Sequence, residues 1–205
     1  MIIKQLFIDT ETTGIDPKKN GLFNIGGVIV NDGRIEEFDL FCDVFTEDTF
    51  DLGAMEKNGF TNEQIAKLPD PEVTFNQFIG ILDKHIDKYD KEDKFYVFGY
   101  FSEFDCQFLR QWFWNNGDQY FGSRFHHPWL DVSVIAMYYL MEKGERHLLE
   151  NFKLTTVARY LGIDIDDNKS HTSLYDAQLA KQVYDCCTGT GSFSDALGYD
   201  DDIPF

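Results

Sequence analysis

The chain is poor in positive charge. Lys and Arg total 18 against 36 Asp and Glu in 205 residues, a formal net charge of −18. Phosphate affinity normally comes from clustered cations, so the charge taken alone argues against a broad nucleic-acid-binding face. A footprint of a few nucleotides survives that argument, because bound metal ions can supply the missing positive charge. Cysteine is scarce as well. Cys42, Cys106, Cys186 and Cys187 show no Cys-x-x-Cys spacing and follow no signal-peptide pattern, so reduced intracellular thiols are expected. The start Met1-Ile2-Ile3-Lys4 lacks a long hydrophobic region and no run of 18 apolar residues occurs, which predicts a soluble, cytoplasmic protein with no membrane partner. No internal repeat is present.

What the chain has in quantity is aromatic side chains: 20 Phe, 10 Tyr and 3 Trp, enough for the core of one domain. Its patterning alternates between strand and helix. Met1–Ile8 reads as a buried strand and Leu22–Val30 as a second. Asn31-Asp32-Gly33-Arg34 closes a hairpin into Ile35–Val44, giving a three-strand meander. Residues 46–70 read as irregular, with a short helix after Thr61. Pro71 opens an amphipathic helix through Phe75, Phe78, Leu82 and Ile86. Phe95–Phe98 is a short strand ending in Gly99, followed by a helix from about Ser102 to Asn116, with Ser102 as its cap and Asp105 three residues on. A short strand at Trp129-Leu130 leads to Asp131 and the helix Val132–Met141. Leu154–Leu161 forms another helix, ended by Gly162, and Thr172 or Ser173 caps a last helix through Cys187. Strands alternating with helices after the meander predict an α/β domain with a mixed sheet over residues 1–187. Residues 188–205 are Gly-, Ser- and Asp-rich without a basic residue and read as a flexible acidic tail.

Acidic residues appear abruptly at the end of the first strand, in Ile8-Asp9-Thr10-Glu11-Thr12-Thr13-Gly14. Residues i and i+2 of a strand share a face, so Asp9 and Glu11 aim their carboxylates at one point. Such a pair repels unless a cation lies between, and hard ions such as Mg²⁺ or Mn²⁺ favour an all-oxygen site. Gly14 allows a sharp turn that leaves the Thr12–Gly14 backbone open to a ligand. The same spacing recurs at Asp70/Glu72 and Asp90/Glu92, but in polar surroundings, so position rather than spacing marks the first pair. Asp105 lies at a helix start just past a strand end, where open α/β sheets carry ligands. His171 and Asp176 follow in Ser170-His171-Thr172-Ser173-Leu174-Tyr175-Asp176, with His171 on the loop before the last helix and Asp176 on its second turn.

Taken together, Asp-x-Glu at the first strand's end, Phe104-Asp105, and His171 five residues before Asp176 resemble the DEDDh, or DnaQ-like, 3′–5′ exonuclease family. Asn24-Ile25-Gly26-Gly27-Val28 is similar to that family's second strand, Asn58-Gly59-Phe60-Thr61 to its His-Gly-Ile-Thr turn, and Leu130-Asp131-Val132 to its Asp-Thr helix start. The chain departs where Tyr100 and Phe101 replace a common His-Asn, and where Asn58 replaces the turn's His. The resemblance implies an RNase H-like five-stranded mixed sheet flanked by helices. It implies that Asp9, Glu11, Asp105 and Asp176 hold two Mg²⁺ or Mn²⁺ ions, and that His171 is the general base. It places Thr12, Thr13 and Gly14 against the terminal nucleotide, and Phe101 is an aromatic available to stack on bases. The implied activity is release of nucleoside 5′-monophosphates from DNA 3′ ends. The alternatives are an exoribonuclease of the same family, oligoribonuclease-like or RNase T-like, and a non-catalytic interaction module.

The chain ends in Tyr199-Asp200-Asp201-Asp202-Ile203-Pro204-Phe205, which resembles the acidic tip of bacterial single-stranded-DNA-binding proteins. That resemblance implies a partner-binding role for Ile203, Pro204 and Phe205, with replication or repair proteins as partners and a bacterial or phage setting. A merely solubilising or appended segment is the plainer reading of the same residues.

Overall fold

The computed structural model describes residues 3–166 and 172–190. The acidic tail beyond residue 190 and His171 therefore lie outside the described residues. Three strands form the expected meander: β1 (Lys4–Thr12), β2 (Leu22–Asn31) and β3 (Arg34–Phe41). Asp32 and Gly33 take φ of 50° and 72°, the two left-handed residues that a tight hairpin needs to match strand twist. β4 (Phe95–Gly99) and β5 (Leu130–Asp131) add on β1's other side, giving the order β3-β2-β1-β4-β5. β1 runs antiparallel to β2 and parallel to β4, so the sheet is mixed.

β1 is central, and Leu6, Phe7 and Ile8 are fully buried. Strand alternation sends Leu6 and Ile8 into a core shared with Phe78, Leu109 and Phe113, under α3 (Pro71–Leu82) and α4 (Glu103–Asn115). Phe7 faces the other way, into Val28, Phe98, Leu179 and Val183, under α5 (Val132–Glu142), α6 (Leu154–Tyr160) and α7 (Ser173–Thr188). Between β3 and α3 lie α1 (Leu52–Asn58) and α2 (Asn62–Ile65), whose Met55 and Ile65 pack on Phe23. The sequence predicts α2 but not α1. α1 is short and buries only Met55, so it carries too little apolar periodicity to be read.

Two helix starts differ from expectation. Ser102 precedes α4 but makes no side-chain capping bond. Thr172 precedes α7 and likewise makes none, while the Ser173 hydroxyl donates to Asn24 Oδ1 at 2.5 Å. Asp176 falls in the first turn of α7, not its second. At α7 the Ser173 hydroxyl is drawn toward the sheet, where Asn24 offers a buried partner.

The start of α7 rests directly on β2. A Cβ on Gly26 would lie 2.0 Å from the Leu174 nitrogen and 2.4 Å from the Ser173 carbonyl carbon, so only glycine permits this approach. Gly26 pairs with Asp9 across the strands, and the contact therefore fixes α7 beside the acidic end of β1. Gly26→Ala should lower Tm by about 3–9 °C, because overpacking against backbone costs about 1–3 kcal/mol. Gly80, mid-helix in α3 with nothing within 4 Å of an added Cβ, is the contrasting position. Gly80→Ala should raise stability by about 0.5–1 kcal/mol. Parallel thermal melts check both signs, and a Gly26→Ala protein as stable as the parent would show that α7 does not depend on this contact.

Candidate active site

The site forms where β1 outruns its neighbour. β4 pairs with β1 only from Lys4 to Phe7, whereas β2 pairs as far as Thr12. Asp9 and Glu11 thus project past the end of β4, on the sheet face that carries α7. Asp176 reaches them from the first turn of α7. One carboxylate oxygen from each of Asp9, Glu11 and Asp176 lies within 4.8 Å of the others. All three are half-buried.

Asp105 approaches from the opposite face, in the first turn of α4. It is 3% exposed, and its Oδ1 accepts a hydrogen bond from the Thr10 hydroxyl at 2.8 Å. This bond turns Asp105 toward β1 and holds it next to the trio rather than inside it. Asp105 is nonetheless the strongest charged neighbour of Asp9. Thr10 is a residue that the sequence reading missed. Its signal was present, since it continues the Leu6–Ile8 face of the strand with a polar group where an apolar one is expected. The sequence likewise marks Asn24 only as part of a strand. It is 1% exposed, accepts from Ser173, and donates through Nδ2 to Asp39 at 2.7 Å and to the Leu40 carbonyl at 3.1 Å. It ties β3, β2 and the start of α7 together opposite Glu11.

The carboxylates resist ionisation together. Burial raises Asp9 well above the usual carboxylate range, and Asp105, Asp176 and Glu11 add repulsion. Burial and Asp176 push Glu11 up to about 8, against the opposing field of Lys57. Burial pushes Asp105 up to about 7, against the hydrogen bonds from Thr10. Acids that hold protons near neutrality when alone, and offer only oxygen donors, fit a hard divalent cation: the ion replaces the protons and removes the repulsion.

The Thr12–Gly14 segment corrects one expectation. Most of its backbone is already bonded within the fold. Asn58 Nδ2 donates to the Thr12 carbonyl at 2.9 Å, and Thr13 gives its N–H to Gly21 and receives Asp51 N–H at its carbonyl. Gly14 is required for space rather than for a left-handed turn: an added Cβ would sit 2.3 Å from the Asn20 side chain and 2.4 Å from Asp51. The segment is a rigid wall beside the carboxylates. Phe101 stands on the loop before α4 and is 54% exposed. Among the described residues no helix is long and apolar enough to cross a membrane.

Comparison with known proteins agrees with this arrangement of strands and helices. The DNA polymerase III PolC-type of Thermotoga petrophila is 25% identical over 178 residues, which is 86% of this chain and 11% of the polymerase. The chain thus spans about a tenth of the length of that relative. Escherichia coli exonuclease I in complex with a dT13 oligonucleotide has the same fold, with a TM-score of 0.71 at 18% identity over 95% of this chain and 43% of the other. An exonuclease I/SSB-Ct complex matches with a TM-score of 0.69 at 17% identity, over 93% of this chain and 42% of that one. The RNase T-type family model, described as exonuclease, matches residues 6–184, nearly the whole sheet and its helices, and the chain belongs to that family.

Proposed function

We propose that this protein is a divalent-metal-dependent 3′–5′ exonuclease that releases nucleoside 5′-monophosphates from DNA. The observation that carries the reading is the convergence of Asp9, Glu11 and Asp176 within 4.8 Å, with Asp105 against them, in a chain of the exonuclease family. Asp9, Glu11, Asp105 and Asp176 would hold two Mg²⁺ or Mn²⁺ ions. When bound, such ions supply electrophilic stabilisation of the phosphate under attack and of the departing 3′-oxygen. His171 takes the proton of the attacking water, since an imidazole titrating near neutrality suits a general base. The water oxygen bonds to phosphorus and the bond from phosphorus to the 3′-oxygen breaks. The wall of Thr12, Thr13 and Gly14 fixes where the terminal nucleotide lies.

DNA is the preferred substrate in this reading for two reasons. The matched solved structure is bound to an oligodeoxynucleotide, and the C-terminal tip carries the Asp-Asp-Asp-Ile-Pro-Phe pattern of single-stranded-DNA-binding proteins. An exonuclease I is known in complex with SSB-Ct, so proteins of this kind meet such tips. Here the tip belongs to the exonuclease itself. Ile203, Pro204 and Phe205 would dock it to replication or repair proteins in a bacterial or phage cytoplasm, with Phe205 as the apolar anchor and the Asp run steering toward a basic surface.

Asp9→Ala and Asp105→Ala should each abolish Mg²⁺-dependent nucleotide release from a 3′-labelled oligonucleotide, and EDTA should do the same to the parent. His171→Ala should retain metal-induced thermal stabilisation while losing ~10²–10⁴-fold in maximal rate. Near-parental release by either Asp variant would defeat the site. Faster degradation of RNA than of DNA of equal sequence would defeat the choice of substrate.

The metal-free protein should respond to pH in a definite direction. Glu11 at about 8 and Asp105 at about 7 hold protons in the fold that the unfolded chain gives up near pH 4. Stability in EDTA is therefore greatest below the unfolded values and is lost as pH rises through these folded ones. Tm in EDTA should fall from pH 5 to pH 8, Mg²⁺ should restore it at pH 8, and Glu11→Gln should flatten the slope. A slope unchanged by Glu11→Gln would show that these acids do not govern the response.

Deleting Phe205 should leave activity on a short free oligonucleotide intact and abolish capture of proteins that recognise the single-stranded-DNA-binding-protein tip. Equal capture by the full-length and shortened chains would refute the docking role.

A further inference from the structure

The loop joining β4 to α4 holds a backbone outlier that the metal site does not explain. Phe101 has φ of 62°, in the left-handed region where the Cβ of an L residue crowds its own backbone. Of the other positive-φ residues described, six are glycines, and Asp32 occupies a hairpin turn that tolerates it. Phe101 alone is bulky. Such a conformation persists only where its surroundings over-determine it.

They do so here. Asp131 Oδ1 accepts the Phe101 N–H at 3.2 Å, and is itself fixed by the Ser133 N–H at 2.8 Å and the Ser133 hydroxyl at 2.6 Å. The Phe101 carbonyl accepts the Phe104 N–H at 3.1 Å. On either side the chain is buried: Tyr100 at 8% exposure, with its hydroxyl donating to the Phe152 carbonyl at 2.8 Å, and Ser102 at 4%. With both neighbours held inward, the left-handed turn sends the Phe101 ring out. Its ring meets Tyr100 edge-on at 5.0 Å and joins none of the hydrophobic clusters of the described residues. The fold therefore holds a large apolar side chain in solvent, in a strained conformation, on the loop that leads into the helix bearing Asp105.

Resting on the exonuclease reading above, we propose that Phe101 is a stacking platform for an unpaired base at the 3′ end of the substrate, and that Asp131 is the positioning residue that keeps the ring outward. Every base has a π-face, so stacking needs neither a particular sequence nor a cation. That suits a chain with a net charge of −18, which has little electrostatic attraction to offer. A base paired at a duplex end is already stacked on its neighbour, so the platform selects single-stranded 3′ ends.

Phe101→Gly removes the ring and relieves the backbone, while Phe101→Trp keeps an aromatic face. Phe101→Gly should raise KM for a single-stranded oligodeoxynucleotide by about 5- to 100-fold, the effect falling on KM rather than kcat. Its Tm should not fall, because the ring supports no core. Phe101→Trp should restore KM to near the parental value. The ratio of kcat/KM on single-stranded to blunt duplex substrate should fall in Phe101→Gly. Asp131→Ala should raise KM in the same direction, Asp131→Asn should rescue it by keeping an acceptor oxygen, and Asp131→Ala should add nothing to the KM of Phe101→Gly. An active Phe101→Gly enzyme with parental KM on single strands would overturn the platform, and independent, additive effects of Asp131→Ala would overturn its positioning role. A parent protein that releases no nucleotide under any divalent metal would instead overturn the exonuclease reading itself.

Discussion

Mutual repulsion among carboxylates at the end of β1 is the constraint that the surrounding structure answers. Burial already disfavours the ionised form of each acid, and each adds to the others' cost. Left alone, such a group would separate or stay protonated. The fold prevents separation by giving each carboxylate-bearing helix a neutral anchor. Thr10 holds Asp105, Asn24 holds the start of α7 through Ser173, and Gly26 lets that helix approach to backbone contact. None of these anchors carries charge, so none competes with a cation for the acids. Lys57 is the cation among the described residues whose field opposes the repulsion at both Asp9 and Glu11, and it is exposed on α1, outside the cluster.

Placement follows from unequal strand lengths. Because β4 stops opposite Phe7, the last part of β1 has a partner on one side only, and the vacated edge is where Asp105 arrives from the other face of the sheet. The site therefore gathers carboxylates from both layers of helices without any helix crossing the sheet. In open α/β sheets such carboxyl-terminal strand ends are the usual ligand sites, and this chain fits that rule with its first strand.

The sequence made the strand end legible and the anchors illegible, for a physical reason. A buried apolar run that breaks into Asp9 and Glu11 is a conflict between burial and charge, and such conflicts stand out in one dimension. The hairpin at Asp32-Gly33 and the stop at Gly162 were legible because local backbone chemistry alone decides them. Ser102 and Ser173 misled because capping is judged from local neighbours, whereas the Ser173 hydroxyl found a partner 149 residues away in sequence. Asn24 and Gly26 could be read as strand residues but not as the seat of α7, since that role exists only once β2 and α7 are packed. The short helix α1 stayed hidden because its single buried residue gives no period to read.

Phe101 marks the point where stability and recognition part. Every anchor around the carboxylates lowers the energy of the fold: a buried hydroxyl finds an acceptor, or a glycine admits a helix. The turn at Phe101 does the reverse, since glycine there would be less strained and the exposed ring gains nothing from the core. Its conformation is maintained by Asp131, which sits at the start of α5 and beside Gly99 in the β4–β5 register. The carboxylate that caps one helix thus also fixes the entry to another, the one that carries Asp105. Asp131 and Asp105 share no described hydrogen bond, and the Asp131 charge adds to the repulsion that keeps Asp105 protonated. The entry to the helix that carries Asp105 and the outward turn of the exposed ring consequently share one residue, Asp131.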